Sequence, residues 1–223
     1  DKDALTQFVR ELTPLLREQG LVVSIDVTIP DGSDTWSKCY DRKALGEIVD
    51  YVMLMTYDQH WATSPKAGSV AQITWVEQNL VKVLEMVPRE KLLLGLPFYT
   101  RLWQEEKTDN GTIVKQAAVL SMEGSKKVVN DNTAEVVWDE ESGQFYTEYE
   151  KDGKTYKLWI EDENSINLKS SLVHKYKLAG TAAWSRTYEN PAVWDVLNAN
   201  LKEIETYAQW KEINSQKIFV YNK

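Results

Sequence analysis

Apolar residues along the first hundred positions follow two alternating rhythms. Leu5, Phe8, Val9, Leu12, Leu15 and Leu16 recur at helical spacing over 3–19, and Gly20 stops the helix. Pro14 lies inside that pattern and predicts a kink. Residues 21–29 form a nearly continuous apolar run closed by Pro30-Asp31-Gly32, which reads as a buried strand. Asp26 interrupts the run, either as a paired interior acid or as a residue near the surface. A loop over 33–40 carries Trp36 and Tyr40, and a short helix is predicted around 41–48. Next comes a strand at 50–57, apolar along its body and polar at its tip, Tyr57-Asp58. A loop with Pro65 and Gly68 leads to a helix over about 71–86, ended by Pro88. The run 91–99 is a further buried strand, with Thr100, Arg101, Leu102 and Trp103 at its end.

After Trp103 the rhythm breaks. Residues 104–162 are polar and strand-rich, with a short helix at 121–130 capped by Ser121. Hairpins are predicted at 138–145 and at 149–156, the second around the tight-turn pair Asp152-Gly153. The helix–strand pattern then resumes with a helix over 164–177 and a small-residue strand over 178–184 tipped by Trp184. Asn190-Pro191 opens a final helix carrying Val193, Trp194, Leu197 and Leu201. Residues 205–223 fit no unit and read as a packed tail or the start of a linker.

Strands apolar on both faces and separated by amphipathic helices imply a parallel sheet with helices outside it. The fold class is therefore α/β. Four such strands, 21–29, 50–57, 92–99 and 178–184, are few for a doubly wound sheet but suit the second half of a (β/α)8 TIM barrel. The predicted organisation is barrel over 1–103, a small α+β insertion over 104–162, barrel over 163–204, and a tail over 205–223.

Composition narrows the chemistry. The net charge of -8 and the lack of any Lys/Arg cluster argue against nucleic acid. No apolar run is long enough to insert across a membrane. The single cysteine, Cys39, permits no intrachain disulfide, and His60 and His174 show no metal-ligand spacing, so no metal or cofactor is expected. The 9 Trp and 11 Tyr are numerous, and aromatic faces suit stacking on sugar rings, although most will serve the core. Met55, Tyr57, Asp58, Tyr99, Arg101 and Trp184 fall at the C-terminal tips of the predicted strands, where a barrel places its chemistry.

Met55-Thr56-Tyr57-Asp58 resembles the Met-x-Tyr-Asp signature at the end of strand 6 in glycoside hydrolase family 18, the chitinase-like enzymes. Gly95-Leu96-Pro97-Phe98-Tyr99-Thr100-Arg101 is similar to that family's strand 7 end, and Ala183-Trp184 to its strand 8 end. An insertion between strands 7 and 8, followed by a return segment like 159–165, is also a family feature. The wording Tyr57-Asp58-Gln59-His60-Trp61 looks most like bacterial spore- and wall-associated members. The resemblance covers residues 1 to about 204.

What it implies is hydrolysis of β-1,4 bonds in N-acetylglucosamine polymers, chitin or peptidoglycan, in which the substrate's own acetamido group is the nucleophile. By this resemblance Tyr57 hydrogen-bonds the acetamido group, and Asp58 binds the sugar at the point of cleavage. Trp184 stacks beneath the ring, Met55 lines the pocket, and Tyr99 and Arg101 contact the sugar or brace the wall. Trp103, like Trp36 and Trp61, is a further sugar platform or else a loop anchor. Arg101 has the alternative of pairing with an acid simply to hold the insertion. The polymer's location places the protein outside the cell or at the cell envelope or spore.

The resemblance has one gap. The family's proton donor lies in an Asp-x-x-Asp-x-Asp-x-Glu run at the end of strand 4, and no such run occurs here. The acid is expected upstream, so the chain is expected to be inactive alone, and half a barrel would leave two open sheet edges that favour dimerisation. Competing readings are a non-catalytic, lectin-like relative and a structural protein that keeps only the scaffold.

Overall fold

The computed structural model describes residues 1–221, which form two sheets. In the first, strands β1 (Ser24–Thr28), β2 (Tyr51–Met55), β3 (Leu92–Pro97) and β9 (Gly180–Trp184) run parallel in that order. Val27, Val52, Leu54, Leu92, Leu94 and Leu96 are fully buried in one core with residues of the covering helices. Alternation sends Asp26, Met53 and Met55 to the other face, where Asp26 is exposed and the methionines are half-buried. Asp26 is thus on the helix-free side of the sheet, one strand from Met53.

Helices α1 (Lys2–Glu18), α2 (Arg42–Ile48) and α3 (Ile73–Leu84) precede β1, β2 and β3. Val76, Leu80 and Val83 of α3 are buried, as their spacing predicts. The helix α1 runs unbroken through Pro14, and of its predicted apolar face only Val9 is buried, with Phe8 and Leu15 exposed. The helix predicted over 164–177 is divided into α5 (Glu163–Ser170) and α6 (Leu172–Tyr176), then ends at Lys177 in a left-handed conformation.

The second sheet is antiparallel and lies between β3 and β9 in the chain. It contains β4 (Tyr99–Thr108), β5 (Gly111–Ser121), β6 (Val136–Asp139), β7 (Gln144–Lys151) and β8 (Lys154–Ile160), in the order β5-β4-β8-β7-β6. Helix α4 (Met122–Asp131) is capped by Ser121, whose side chain accepts from Gly124 N. Both predicted hairpins form, 136–147 and 144–160.

The antiparallel sheet starts earlier than predicted. Phe98 N donates to Trp184 O, and at the next residue the chain pairs antiparallel, Tyr99 with Ser121. Tyr99, Arg101 and Trp103 therefore stand on the second sheet, not on a parallel-strand tip. The sequence blurs this boundary because residues 96–103 are buried throughout, so no polar break marks the change of sheet.

Residues 205–221 form a packed tail. Beyond helix α7 (Ala192–Asn198), helix α8 (Tyr207–Asn214) docks through Trp210, whose Nε1 donates to Asn167 Oδ1 at 3.1 Å. Beyond it Phe219 stacks on Trp138 with ring centroids 3.7 Å apart, and Tyr221 packs on Phe145. The tail thus ties α5 to the core face of the antiparallel sheet.

Candidate active site

Asp58 is the centre of the site. It follows β2 in the left-handed region at φ 60°, a conformation that Asp tolerates better than most residues. Its Oδ1 accepts from the Tyr99 hydroxyl at 2.6 Å and from Arg101 Nη2 at 2.6 Å. One carboxylate oxygen is thereby held by a phenol and a guanidinium from β4. The Arg101 side chain is largely buried, its Nη1 donates to Gln116 of β5, and its Cζ lies 5.6 Å from the Tyr99 ring centre. A buried guanidinium in contact with a carboxylate and an amide is fixed in position.

Tyr57 lies beside this pair, its ring edge-on to Tyr99 at 6.3 Å. Burial, with the Asp26 and Asp58 carboxylates nearby, pushes its phenol up to about 12. Burial, and then the adjacent Asp58, also raises Tyr99 well above the usual phenol range. Both stay protonated at neutral pH and can donate hydrogen bonds. Gly95 on β3 makes room for Tyr57: a Cβ there would lie 3.2 Å from Tyr57 Cε1 and 2.4 Å from Leu54 O.

The loop after Asp58 folds back on itself. Gln59 N donates to Val70 O, and His60 Nδ1 lies 2.8 Å from Ser69 O. The imidazole occupies the space that a side chain at Gly68 would need, since a Cβ there would come 2.3 Å from His60 Cε1. His60 is accordingly a loop-packing residue. Trp103 is fully buried, and its Nε1 donates to Gly68 O at 2.8 Å. This corrects the expectation that Trp103 binds sugar: its ring is enclosed and its only polar atom is used to anchor the loop.

Trp184 behaves differently. It closes β9 with 56% of its surface exposed, and its peptide to Ser185 is cis. Met55 sits half-buried on the helix-free face, paired in register with Thr28. Trp36 and Trp61 are exposed on loops that follow β1 and β2.

Two groups escaped the sequence reading. Gln116 holds Arg101, but only the β4–β5 register reveals it. Glu161 and Lys169 form a buried ion pair at 2.9 Å, to which Gln144 and Ser165 also donate, and Ser69 donates to Gln144. This chain of contacts links the Asp58 loop, the antiparallel sheet and α5. Its sequence signal is faint, a glutamate and a lysine eight positions apart.

In this site a phenol and a guanidinium donate to one carboxylate oxygen, a second phenol lies beside them, and an exposed indole ends the strand β9. A family model described as Glycosyl hydrolases family 18 matches residues 1–189. The chain belongs to glycosyl hydrolase family 18. Among family relatives, the uncharacterised glycosylase YvbX of Bacillus subtilis is 25% identical over 208 residues, 91% of this chain and 58% of that protein. The cortical fragment-lytic enzyme of the same organism is 29% identical over 203 residues, 89% of this chain and 46% of the enzyme. A crystal structure of a chitinase from Chromobacterium violaceum superposes with a TM-score of 0.81 at 27% identity, covering 91% of this chain and 62% of that one. This family 18 chain spans about half the length of the curated relatives it matches.

Proposed function

We propose that this chain forms the second half of a (β/α)8 barrel in a glycosidase that cleaves β-1,4 bonds of an N-acetylglucosamine-containing polysaccharide, chitin or peptidoglycan. The observation that carries the reading is the joint hold of Tyr99 and Arg101 on one oxygen of Asp58, beside an un-ionised Tyr57. That arrangement leaves a phenol free to donate to an acetamido group. It also leaves the second carboxylate oxygen of Asp58 available to the sugar. The acetamido oxygen attacks the anomeric carbon as the glycosidic bond breaks, and water later opens the resulting ring with retention. Trp184 stacks beneath the reacting ring, Met55 lines the pocket, and Arg101 and Tyr99 hold Asp58 in position.

Support for the barrel comes from the helix-free face of the parallel sheet, with β1 and β9 at its two ends. Closure by further parallel strands, or pairing with a second copy, would cover those edges. Leaving-group protonation needs a glutamic acid, and the family's Asp-x-x-Asp-x-Asp-x-Glu run does not occur in these 223 residues. Activity is therefore proposed for the full-length protein that joins this chain to such a run. Because the cortical fragment-lytic enzyme of Bacillus subtilis and the chitinase of Chromobacterium violaceum are among the proteins it resembles, action outside the cell or at the envelope or spore fits this reading.

The test is an assay of the full-length protein on a chromogenic N-acetylglucosamine oligomer beside its Asp58→Asn variant. We expect turnover by the wild type and a loss of about 100-fold in the variant. Oligomer binding without any turnover by the wild type would give the protein to the lectin-like reading instead.

A further inference from the structure

The antiparallel sheet holds the carboxylate of Asp58 through Tyr99 and Arg101. It also holds the chain that follows Asp58. Residues 59–72 form a loop closed on itself: Gln59 N donates to Val70 O at 2.8 Å, Gln72 N donates to Gln59 Oε1 at 3.0 Å, and His60 Nδ1 lies 2.8 Å from Ser69 O. Such a loop could still swing as a unit about Asp58, whose φ of 60° is a conformation that a non-glycine residue keeps only where its surroundings enforce it. Two side chains of the antiparallel sheet pin the loop at neighbouring residues. Trp103 of β4 donates to Gly68 O at 2.8 Å, and Gln144 of β7 accepts from Ser69 Oγ. The same Ser69 oxygen accepts from Ala71 N at 3.0 Å.

Gln144 is fully buried and firmly placed. The turn before it is fastened to α3, where Ile73 N donates to Ser142 O at 2.9 Å. Gly143, at φ 65°, has no room for a side chain, since a Cβ would come 2.6 Å from Leu168 Cδ2 of α5 and 2.9 Å from Ile73 Cγ2. An amide has a donating and an accepting end, and its surroundings decide which way it turns. Here Glu161 decides. Its Oε1 accepts from Gln144 Nε2 and from Lys169 Nζ, each at 2.9 Å. Its Oε2 accepts from Lys169 Nζ at 3.0 Å and from Ser165 Oγ at 2.6 Å. With both oxygens taken up, Glu161 offers Gln144 only an acceptor. The amide turns its NH2 to Glu161 and its carbonyl to Ser69, so the Ser69 hydroxyl donates there and keeps its lone pairs for Ala71 N. Each polar atom along this buried line has one assignment.

A buried ion pair is a poor source of stability, because desolvation offsets its attraction. What the Glu161–Lys169 pair supplies here is direction. We propose that Gln144 is a positioning residue for Asp58. The ion pair orients its amide, the amide fixes Ser69, and Ser69 fixes the loop that sets the Asp58 backbone. Gln144 touches no reacting group and acts only through that loop. The role rests on the glycosidase reading of the Asp58 site. It adds that the antiparallel sheet governs the chemical step through the backbone after Asp58, and not only through the carboxylate.

The experiment is steady-state kinetics of the full-length protein on a chromogenic N-acetylglucosamine oligomer, with kcat referred to the folded protein measured by circular dichroism. The variants are Gln144→Met, of similar length and volume, Ser69→Ala, and the two together. We expect kcat to fall about tenfold in each single variant, with KM within about twofold of wild type, and the double variant to fall no further than either single one. A role in packing alone would lower the amount of folded protein and leave kcat per folded molecule unchanged, which overturns the inference. Losses that multiply in the double variant also overturn it, because the two residues would then act separately. Ser69→Ala, one oxygen removed from a loop, carries the test by itself should Gln144→Met not fold, and an unchanged kcat there overturns the role of Gln144. A wild type that turns over no oligomer overturns the glycosidase reading and this inference together.

Discussion

Arg101 donates to Asp58 Oδ1 at 2.6 Å, and this bond joins the antiparallel sheet to the tip of the parallel one. A lysine at 101 could reach Asp58 with one ammonium but could not also hold Gln116 in a planar fork. Losing one charge-assisted hydrogen bond removes about 1.5–3 kcal/mol. In steady-state assays of the full-length protein, Arg101→Lys should therefore lower kcat/KM about 10- to 100-fold. Unaltered kinetics would show that the pair serves only to hold the sheets together.

Tyr57→Phe removes a hydroxyl and little packing. On the proposed mechanism it should lower kcat about 100-fold, with thermal stability close to wild type. The same residue predicts a stability change at high pH. Its folded phenol titrates near 12, against the ordinary value of 10.0. Between those values the unfolded chain releases a proton that the folded chain keeps. Stability from this group is thus complete below pH 10 and falls as pH rises towards 12. Urea unfolding at pH 9, 10 and 11 should show a shallower decline for Tyr57→Phe than for wild type.

Lys169 and Glu161 are both buried, and the cation there has no solvent to replace it. Burial raises the Glu161 carboxyl, and Lys169 is the main group opposing that rise. Lys169→Met should cost about 3–5 kcal/mol, because it strands an acid in the interior. The double variant Glu161→Gln, Lys169→Met should recover most of that loss. Denaturant midpoints of the single and double variants measure this, and equal midpoints for both would refute it.

Gly95→Ala places a methyl against Leu54 O and Tyr57, inside the parallel sheet. Overpacking of this kind costs about 1–3 kcal/mol. Because the clash includes the Tyr57 ring, activity should fall by more than the loss of folded protein explains. Thermal melting combined with kcat on the remaining folded fraction separates the two effects.

Much of the α/β rhythm was legible from residue spacing. Strands at 51–55 and 92–97 and the helix at 73–84 appear where the apolar pattern puts them, because a buried face imposes its period on the sequence. Ser121 and the Asp152-Gly153 turn were equally readable, as local backbone chemistry. Tyr57 and Asp58 stood out as polar groups ending an apolar run, and Trp184 as an indole at a strand tip.

Other features carry no such local mark. The change of sheet at Tyr99 falls within a stretch that is buried on both sides of the boundary. Trp103 reads in the sequence as a sugar platform or a loop anchor, because loops and cores use tryptophan alike, and only its complete burial and its bond to Gly68 O distinguish the two. The tail after 204 has no amphipathic period that would announce Phe219 stacking on Trp138.

Residue spacing and local chemistry thus settle which segments are strands, which are helices, and which short motifs belong to family 18. They do so because burial and backbone geometry act on neighbours in the chain. The hold of Arg101 and Tyr99 on Asp58, the Gln116 support and the Glu161–Lys169 pair all arise from strand register and packing between distant segments. A shift of one residue in that register would turn the same side chains to the other face, and no count along the sequence records it.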